Sequence, residues 1–169
     1  MTSRRQRGFT LFELIVVIAL VGVLATVALG RFRELQEAAE AAAAEGNVAG
    51  LRAALLVRST ELAASNRWQE MARLPRENPF PLLEAPPGNY GGVVDGAGDP
   101  GKWYYLPRES AVVYFVRDGS GFVAEDGSRA MRFRLQGLNA LGQPAAGQGV
   151  AYVSLRAMAV YRWNGRSIR

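Results

Sequence analysis

The sequence predicts an α+β fold in which one long N-terminal helix packs on a small antiparallel sheet of about four strands. Three observations lead to this prediction. The first 74 residues contain no proline and are rich in apolar residues and strong helix formers. Six prolines and six glycines crowd residues 75–101, which is typical of a connecting loop. The remaining residues are rich in β-branched and aromatic side chains and contain turn dipeptides.

The composition excludes several classes of chemistry. The chain has 169 residues, 49% of them apolar, and neither cysteine nor histidine. Thiol nucleophiles, disulfides, Cys/His zinc sites and Ser-His-Asp triads are therefore ruled out. Most of the familiar enzyme chemistries are therefore excluded.

An apolar run of 21 residues, 9–29, forms the start of the predicted helix, and its only charged residue is Glu13. At about 1.5 Å per residue, a helix of this length spans the roughly 30 Å hydrocarbon core of a bilayer. Arg4, Arg5 and Arg7 precede the run. Because positive charge resists translocation, we expect the N-terminus to stay cytoplasmic and the rest of the chain to emerge on the other side.

A secretory signal peptide cut after Ala28 is the alternative interpretation of this run. The run is longer than the usual signal core, and it carries a carboxylate near its start. A carboxylate at the membrane centre costs about 2.5–3.5 kcal/mol on insertion scales, so Glu13 either meets a cation or lies shallow enough to stay hydrated.

Residues 8–14, Gly-Phe-Thr-Leu-Phe-Glu-Leu, follow an Arg-rich leader and precede a long apolar run. This segment resembles the class III signal sequence of type IV pilins and type II secretion pseudopilins. The resemblance implies that residues 1–8 are a leader, that a prepilin peptidase cuts between Gly8 and Phe9, and that the new α-amine of Phe9 is N-methylated. It further implies that Glu13 pairs with the terminal amine of a neighbouring subunit during assembly.

The charges of the processed N-terminus agree with that implication. An α-amine has a reference pKa of about 7.7–8.0, and methylation leaves it protonatable. Glu13 follows Phe9 by four residues, which is about one helical turn or 6 Å along the axis. Each helix would therefore carry a positive and a negative group offset by one turn, and in a packed apolar bundle such groups on adjacent copies attract strongly.

Small residues recur four apart at Gly22, Thr26 and Gly30, which would let another helix approach closely. Ordinary tolerance of glycine in membrane helices explains the same pattern equally well. Gly30 also stands where many family members have a helix-kinking proline. We therefore expect either a weaker bend or local melting of the helix at this position.

The sequence divides into a leader (1–8), a transmembrane and assembly helix (9–30), an extracytoplasmic amphipathic helix (31–74), a Pro/Gly-rich loop (75–102) and a C-terminal antiparallel sheet region (103–169). Within the amphipathic helix an apolar stripe is formed by Val48, Leu51, Leu55 and Leu62. Asn66 with Gln69 is predicted to cap one last short turn before Pro75.

Five segments are predicted to be strands: 103–106, 111–117, 121–124, 129–135 and 150–163. Asp118-Gly119, Asp126-Gly127 and Asn164-Gly165 provide turn chemistry. Met131, Phe133 and Leu135 alternate with polar residues, which predicts one buried and one wet face.

Two further sites are considered in the C-terminal half. Acidic residues there suggest calcium, but they lack the spaced oxygen ligands of a dedicated site, and three of them precede glycine as turn residues do. We therefore favour turns and predict no metal. The acidic residues are Asp95, Asp99, Asp118, Glu125 and Asp126.

The second site is a basic patch with aromatic residues among the arginines, which suggests DNA contact. Dispersed arginines on solvated strand faces more often only provide solubility, so we predict that nucleic acid is not a partner. The residues are Arg132, Arg134, Arg156, Tyr161, Arg162, Trp163, Arg166 and Arg169.

The resemblance thus implies a pilin-like structural subunit of the bacterial inner membrane, with its C-terminal domain in the periplasm, which polymerises into a type II secretion pseudopilus or a type IV pilus. The implied subunit is not an enzyme and needs no cofactor. The implied partners are other subunits, the prepilin peptidase and methyltransferase, and an inner-membrane assembly platform. The alternative is a membrane-anchored periplasmic binding module that never polymerises. Loss of the leader would lower the formal charge from +5 to +2, which removes most of the basic excess.

Overall fold

The computed structural model describes residues 10–117 and 119–168. These residues belong to two compact units, of which the first ends at Ala39 and the second begins at Glu40. The α+β class predicted from the sequence is confirmed, because a long helix and two sheets account for most of the described chain.

Helix α1 (Leu11–Ala64) starts in the first unit. Thr10 stands immediately before the helix, and its Oγ1 accepts a hydrogen bond from the Glu13 N–H at 3.2 Å. All residues from 10 to 36 are exposed, including every large apolar side chain of the predicted membrane segment. The helix is unbroken at Gly30, so the local melting that the sequence allowed is not found.

The part of α1 that lies in the second unit buries one stripe of side chains. The predicted stripe of Val48, Leu51, Leu55 and Leu62 is confirmed, since each of these residues is at most 2% exposed. Ala44 and Ser59 complete the stripe, which faces the core of the unit.

The predicted cap at Asn66 and Gln69 is wrong. Asn66 has φ 54°, and the N–H of Arg67 bonds the carbonyl of Leu62 at 2.8 Å, so Asn66 terminates α1 in a left-handed conformation. Helix α2 (Trp68–Arg73) then begins after Arg67 without a side-chain cap. Asparagine suits both roles, and the spacing to Gln69 does not distinguish them.

The segment predicted as a loop contains regular structure. Two short 3-10 turns, Leu74–Arg76 and Phe80–Leu82, follow α2, and strand β1 (Tyr90–Val93) lies further on. The strand was missed because it is short and has two central glycines. One of them has a packing reason, since a Cβ on Gly91 would lie 2.3 Å from the ring of Tyr104.

Strands β2 (Trp103–Leu106), β3 (Ala111–Phe115), β5 (Ala130–Leu138) and β6 (Tyr152–Ala157) join β1 in a five-stranded sheet of order β1-β2-β3-β5-β6. The pairing is antiparallel except between β1 and β2, which run parallel. The predicted burial of Met131, Phe133 and Leu135 on one face of β5 is confirmed.

A second sheet of three short strands has the order β4-β7-β8. It consists of β4 (Phe122–Ala124), β7 (Tyr161–Trp163) and β8 (Arg166–Ile168). The described chain therefore contains eight strands in two sheets, and the prediction of about four strands in one sheet is wrong. The predicted strand 150–163 is divided between the two sheets, and a two-residue turn at Asn164 and Gly165, both with positive φ, adds β8.

Three side chains of α1 bond directly to the five-stranded sheet. Ser59 Oγ accepts the N–H of Val153 on β6 at 3.0 Å, and Arg52 Nε donates to the carbonyl of Leu155 at 3.1 Å. Glu40 Oε1 accepts the Tyr114 hydroxyl at 2.7 Å. Burial, followed by this bond to Glu40, raises the pKa of the Tyr114 phenol well above its ordinary value.

Candidate assembly segment

The structure describes the predicted assembly residues but not the predicted processing residues. Gly8 and Phe9 lie outside the described residues. Glu13, Gly22, Thr26 and Gly30 all lie on the exposed part of α1 in the first unit.

Glu13 occupies the first turn of α1. Thr10 precedes the helix and Glu13 is its third residue, which is the Thr-x-x-Glu spacing of a capping box. A carboxylate in the first turn is stabilised by the positive end of the helix dipole. Thr10 was not among the predicted site residues, although this spacing could have identified it from the sequence.

The Glu13 carboxylate has no ion pair within the part of the chain that the structure describes. Its immediate neighbours on α1 are apolar and exposed, among them Phe12 and Leu14. In an apolar surrounding, such a carboxylate needs a cation from outside the described residues.

The small residues on α1 leave room for another helix. A Cβ on Gly22 or on Gly30 would meet nothing within 4 Å. The Thr26 hydroxyl donates to the carbonyl of Gly22 at 2.9 Å, so its one proton is already used within its own helix. Close contact along this face would therefore rest on shape and not on a hydrogen bond donated by Thr26.

Among the described residues, α1 is the one helix long and apolar enough to cross a membrane. Length and composition alone would also fit a signal sequence or the core helix of a soluble protein. The apolar stretch is not buried, which is unlike a core helix.

Two of the acidic residues considered for calcium, Asp99 and Asp126, have other roles in the structure. Asp99 pairs with Lys102 at 2.9 Å, which lowers the pKa of its carboxyl below the ordinary value. Asp126 accepts the N–H of Ser128 at 3.0 Å in a turn where Gly127 has φ 69°. No group of three or more potential metal ligands occurs among the described residues. Asp118 lies outside the described residues.

The two aromatic members of the basic patch considered for DNA are not at the surface. Tyr161 and Trp163 are buried in the core, with 0% and 1% exposure, and cannot stack on bases. The arginines are distributed over two sheets, with Arg132, Arg134 and Arg156 on the larger sheet and Arg162 and Arg166 on the smaller. Arg169 lies outside the described residues.

Comparison with known proteins identifies the N-terminal segment. Residues 3–29 match the family model described as the prokaryotic N-terminal methylation motif. The match includes Gly8, Phe9 and Glu13 and most of the exposed apolar part of α1.

A curated relative extends the similarity. The chain is 35% identical to the type IV narrow pilus major component PilA5 of Thermus thermophilus over 57 residues, which are 34% of this chain and 49% of PilA5. The similarity thus spans about half the length of that relative. No solved structure matches the chain.

Proposed function

We propose that this protein is a pilin-like structural subunit made as a membrane-anchored precursor. It is cut after Gly8, methylated at Phe9 and polymerised through the first part of α1 into a type IV pilus or a type II secretion pseudopilus. One observation carries the proposal: the methylation motif covers the start of α1, where the large apolar side chains of residues 11–29 are all exposed.

An apolar helix exposed all round requires an apolar environment. Before assembly that environment is the inner membrane, with the N-terminus cytoplasmic and the second unit periplasmic. After assembly it consists of the corresponding helices of other copies. The peptidase, the methyltransferase and an inner-membrane platform act on the subunit, and its own role is structural.

The name of the relative supports the pilus. PilA5 is described as the major component of a type IV narrow pilus, and the similar residues amount to a third of the present chain. The pseudopilus remains within the proposal, because both filaments use the same type of N-terminal segment.

The mature protein is expected to begin at Phe9 and to carry one added methyl group. Intact-mass measurement of the protein from the membrane fraction and from sheared filaments tests this directly. A Gly8→Leu precursor is the matched control, because the residue without a Cβ allows close approach of the peptidase and its replacement should keep the leader attached. A mature chain starting at Met1 or Leu29 and absent from the filament fraction would contradict the proposal and favour the anchored binding module.

Gly22→Leu is expected to reduce filament yield about tenfold without changing the stability of the subunit. A side chain at Gly22 meets nothing within the chain, so any loss must arise between copies. A tenfold effect corresponds to about 1.4 kcal/mol of lost helix packing. Filament mass per cell and the thermal unfolding midpoint of the detergent-solubilised subunit would be measured.

Gly46→Leu provides the control for this substitution. Gly46 is also an exposed helical glycine of α1 with nothing within 4 Å, but it lies in the second unit, beyond the predicted membrane segment. Equal losses of filament from the two variants would show that Gly22 has no special role in helix packing.

A further inference from the structure

Two arginines lie directly opposite each other on the five-stranded sheet. Arg134 on β5 is the register partner of Arg156 on β6, and both side chains are exposed. Directly opposite residues point to the same face with Cβ atoms about 4.5–5.5 Å apart, and like charges in this position are destabilising. Arg132, two residues earlier on β5, has Glu109 at 3.4 Å as its partner.

Arg52 of α1 adds a third guanidinium beside Arg156. It is half-buried, and its Nε is held by the carbonyl of Leu155, the residue before Arg156. Burial, and then the charge of Arg156, lower the pKa of the Arg52 guanidinium. We call Arg52, Arg134 and Arg156 the arginine cluster.

Within the described residues, no carboxylate lies within salt-bridge distance of any member of the arginine cluster. Arg52 and Arg156 line a cleft of about 790 Å³ beside β6, together with Ser154 and Ser167. Glu125 also lines the cleft but forms no ion pair with the cluster. Arg156, with Arg52 beside it in the cleft and Arg134 opposite it on β5, is therefore positioned to receive an anion from outside the chain.

The backbone edge of β6 is already engaged at two points. The N–H of Val153 donates to Ser59 and the carbonyl of Leu155 accepts from Arg52. Binding of an added strand along this edge would require α1 to give up these bonds. Binding of an anion by the guanidinium groups leaves these bonds intact. A carboxylate suits the geometry of a guanidinium group.

Charge is unevenly distributed along the chain. Residues 127–169 contain seven arginines and no aspartate or glutamate. Glu77 and Glu84 are exposed and have no ion pair among the described residues. They flank a segment that packs against β1, where Phe80 stacks on Tyr90 with ring centroids 4.0 Å apart. We call residues 77–84 the acidic segment.

The arginine cluster and the acidic segment thus lie toward opposite edges of one sheet, because β6 and β1 are its two edge strands. A contact between unlike surfaces on successive copies forms an open chain if its rotation does not close.

We propose that the arginine cluster binds the acidic segment of a second copy of this chain, with the guanidinium groups of Arg134 and Arg156 donating hydrogen bonds to the carboxylates of Glu77 and Glu84. The proposal rests on the proposed function, since it assigns a contact between neighbouring subunits of the filament. The contact is formed by residues of the second unit and is separate from the packing of the apolar helices.

Charge reversal tests this pairing in the full-length protein. Arg134→Glu with Arg156→Glu, and separately Glu77→Arg with Glu84→Arg, should each lower filament yield about tenfold, as expected when a favourable charge contact becomes repulsive. All four positions are exposed, so each variant should fold, which thermal unfolding of the solubilised subunit would verify. Arg162→Glu with Arg166→Glu, on the smaller sheet, is the matched control and should assemble normally.

Combining the two pairs provides the decisive measurement. The fourfold variant should assemble as the unmodified protein does. Filaments should also form in cells that co-express the two double variants, because each copy then meets a neighbour with the opposite charge at the contact. Rescue in the mixture shows that the contact joins different copies. Failure of both rescues, or normal assembly of either double variant, would overturn the proposal. Absence of filaments from the unmodified chain would instead overturn the proposed function.

Discussion

Replacing Glu13 with alanine is expected to leave the precursor cut and methylated but to abolish its incorporation into filaments. The carboxylate is exposed in the first turn of α1 and has no ion pair within the described part of the chain. In a packed bundle of apolar helices, its attraction to the α-amine of another subunit favours one axial step. Alanine removes that attraction and leaves the amine of the neighbour without a partner.

Glu13→Gln separates the charge from the cap. Glutamate and glutamine serve equally as the third residue of a capping box, so the glutamine variant keeps the start of the helix but lacks the negative charge. We expect it to fail in assembly as the alanine variant does. Filaments would be sheared from cells and quantified, and the mass of the membrane-bound subunit would report its processing.

Glu34→Ala is the control for these variants. Glu34 is an exposed glutamate of the same helix, and its pair with Arg31 at 2.9 Å is a surface salt bridge of about 0–1 kcal/mol at most. Its loss should leave filament yield unchanged. Normal filaments from Glu13→Ala would rule out the charge-pairing mechanism.

The sequence predicted well those features that depend on local pattern. Proline-free periodicity identified the buried stripe of α1, and alternation identified the buried face of β5 at Met131, Phe133 and Leu135. Gly8, Phe9 and Glu13 also came from a local motif, which the family match over residues 3–29 contains, while the roles of these residues stay predictions. Such patterns are carried by neighbouring residues and need no knowledge of tertiary pairing.

Features that depend on which segments meet could not be predicted. The residues Met158–Val160 have strand-like side chains, yet the chain leaves the larger sheet there and joins the smaller one. Strand β1 is held by its parallel pairing with β2, and neither its glycines nor its length indicates a strand. The opposition of Arg134 and Arg156 likewise exists only in the observed register.

The bonds from Arg52 and Ser59 to β6 belong to the same group. Ser59 is 1% exposed and satisfies both the carbonyl of Leu55 and the N–H of Val153. From the sequence alone, a serine in an apolar stripe indicates only a position where the stripe is less hydrophobic. In the fold, Ser59 provides a hydrogen-bond acceptor for a backbone N–H of the edge strand β6, and this role depends on the tertiary structure.

Trp103→Ala is expected to lower the free energy of unfolding by about 3–5 kcal/mol, which is the usual cost of truncating a large buried aromatic residue. Trp103 is 0% exposed, and its ring lies 4.9 Å from that of Tyr114 and 6.4 Å from that of Phe80. Trp103 therefore packs between Phe80 of the acidic segment and Tyr114 on the central strand β3 of the larger sheet. With total stabilities of about 5–15 kcal/mol, this loss is severe for a chain without disulfides.

Trp68→Ala provides the matched control, since Trp68 is 42% exposed on α2 and should cost far less. Trp103→Phe should lie between the two alanine variants, because it keeps an aromatic ring and removes a buried indole N–H that has no acceptor among the described residues. Chemical unfolding of the solubilised protein, followed by tryptophan-independent far-UV signal, would measure all three. Equal losses from Trp103→Ala and Trp68→Ala would contradict a central role for Trp103. The expected order follows from packing alone, because this core has no covalent crosslink to replace a lost contact.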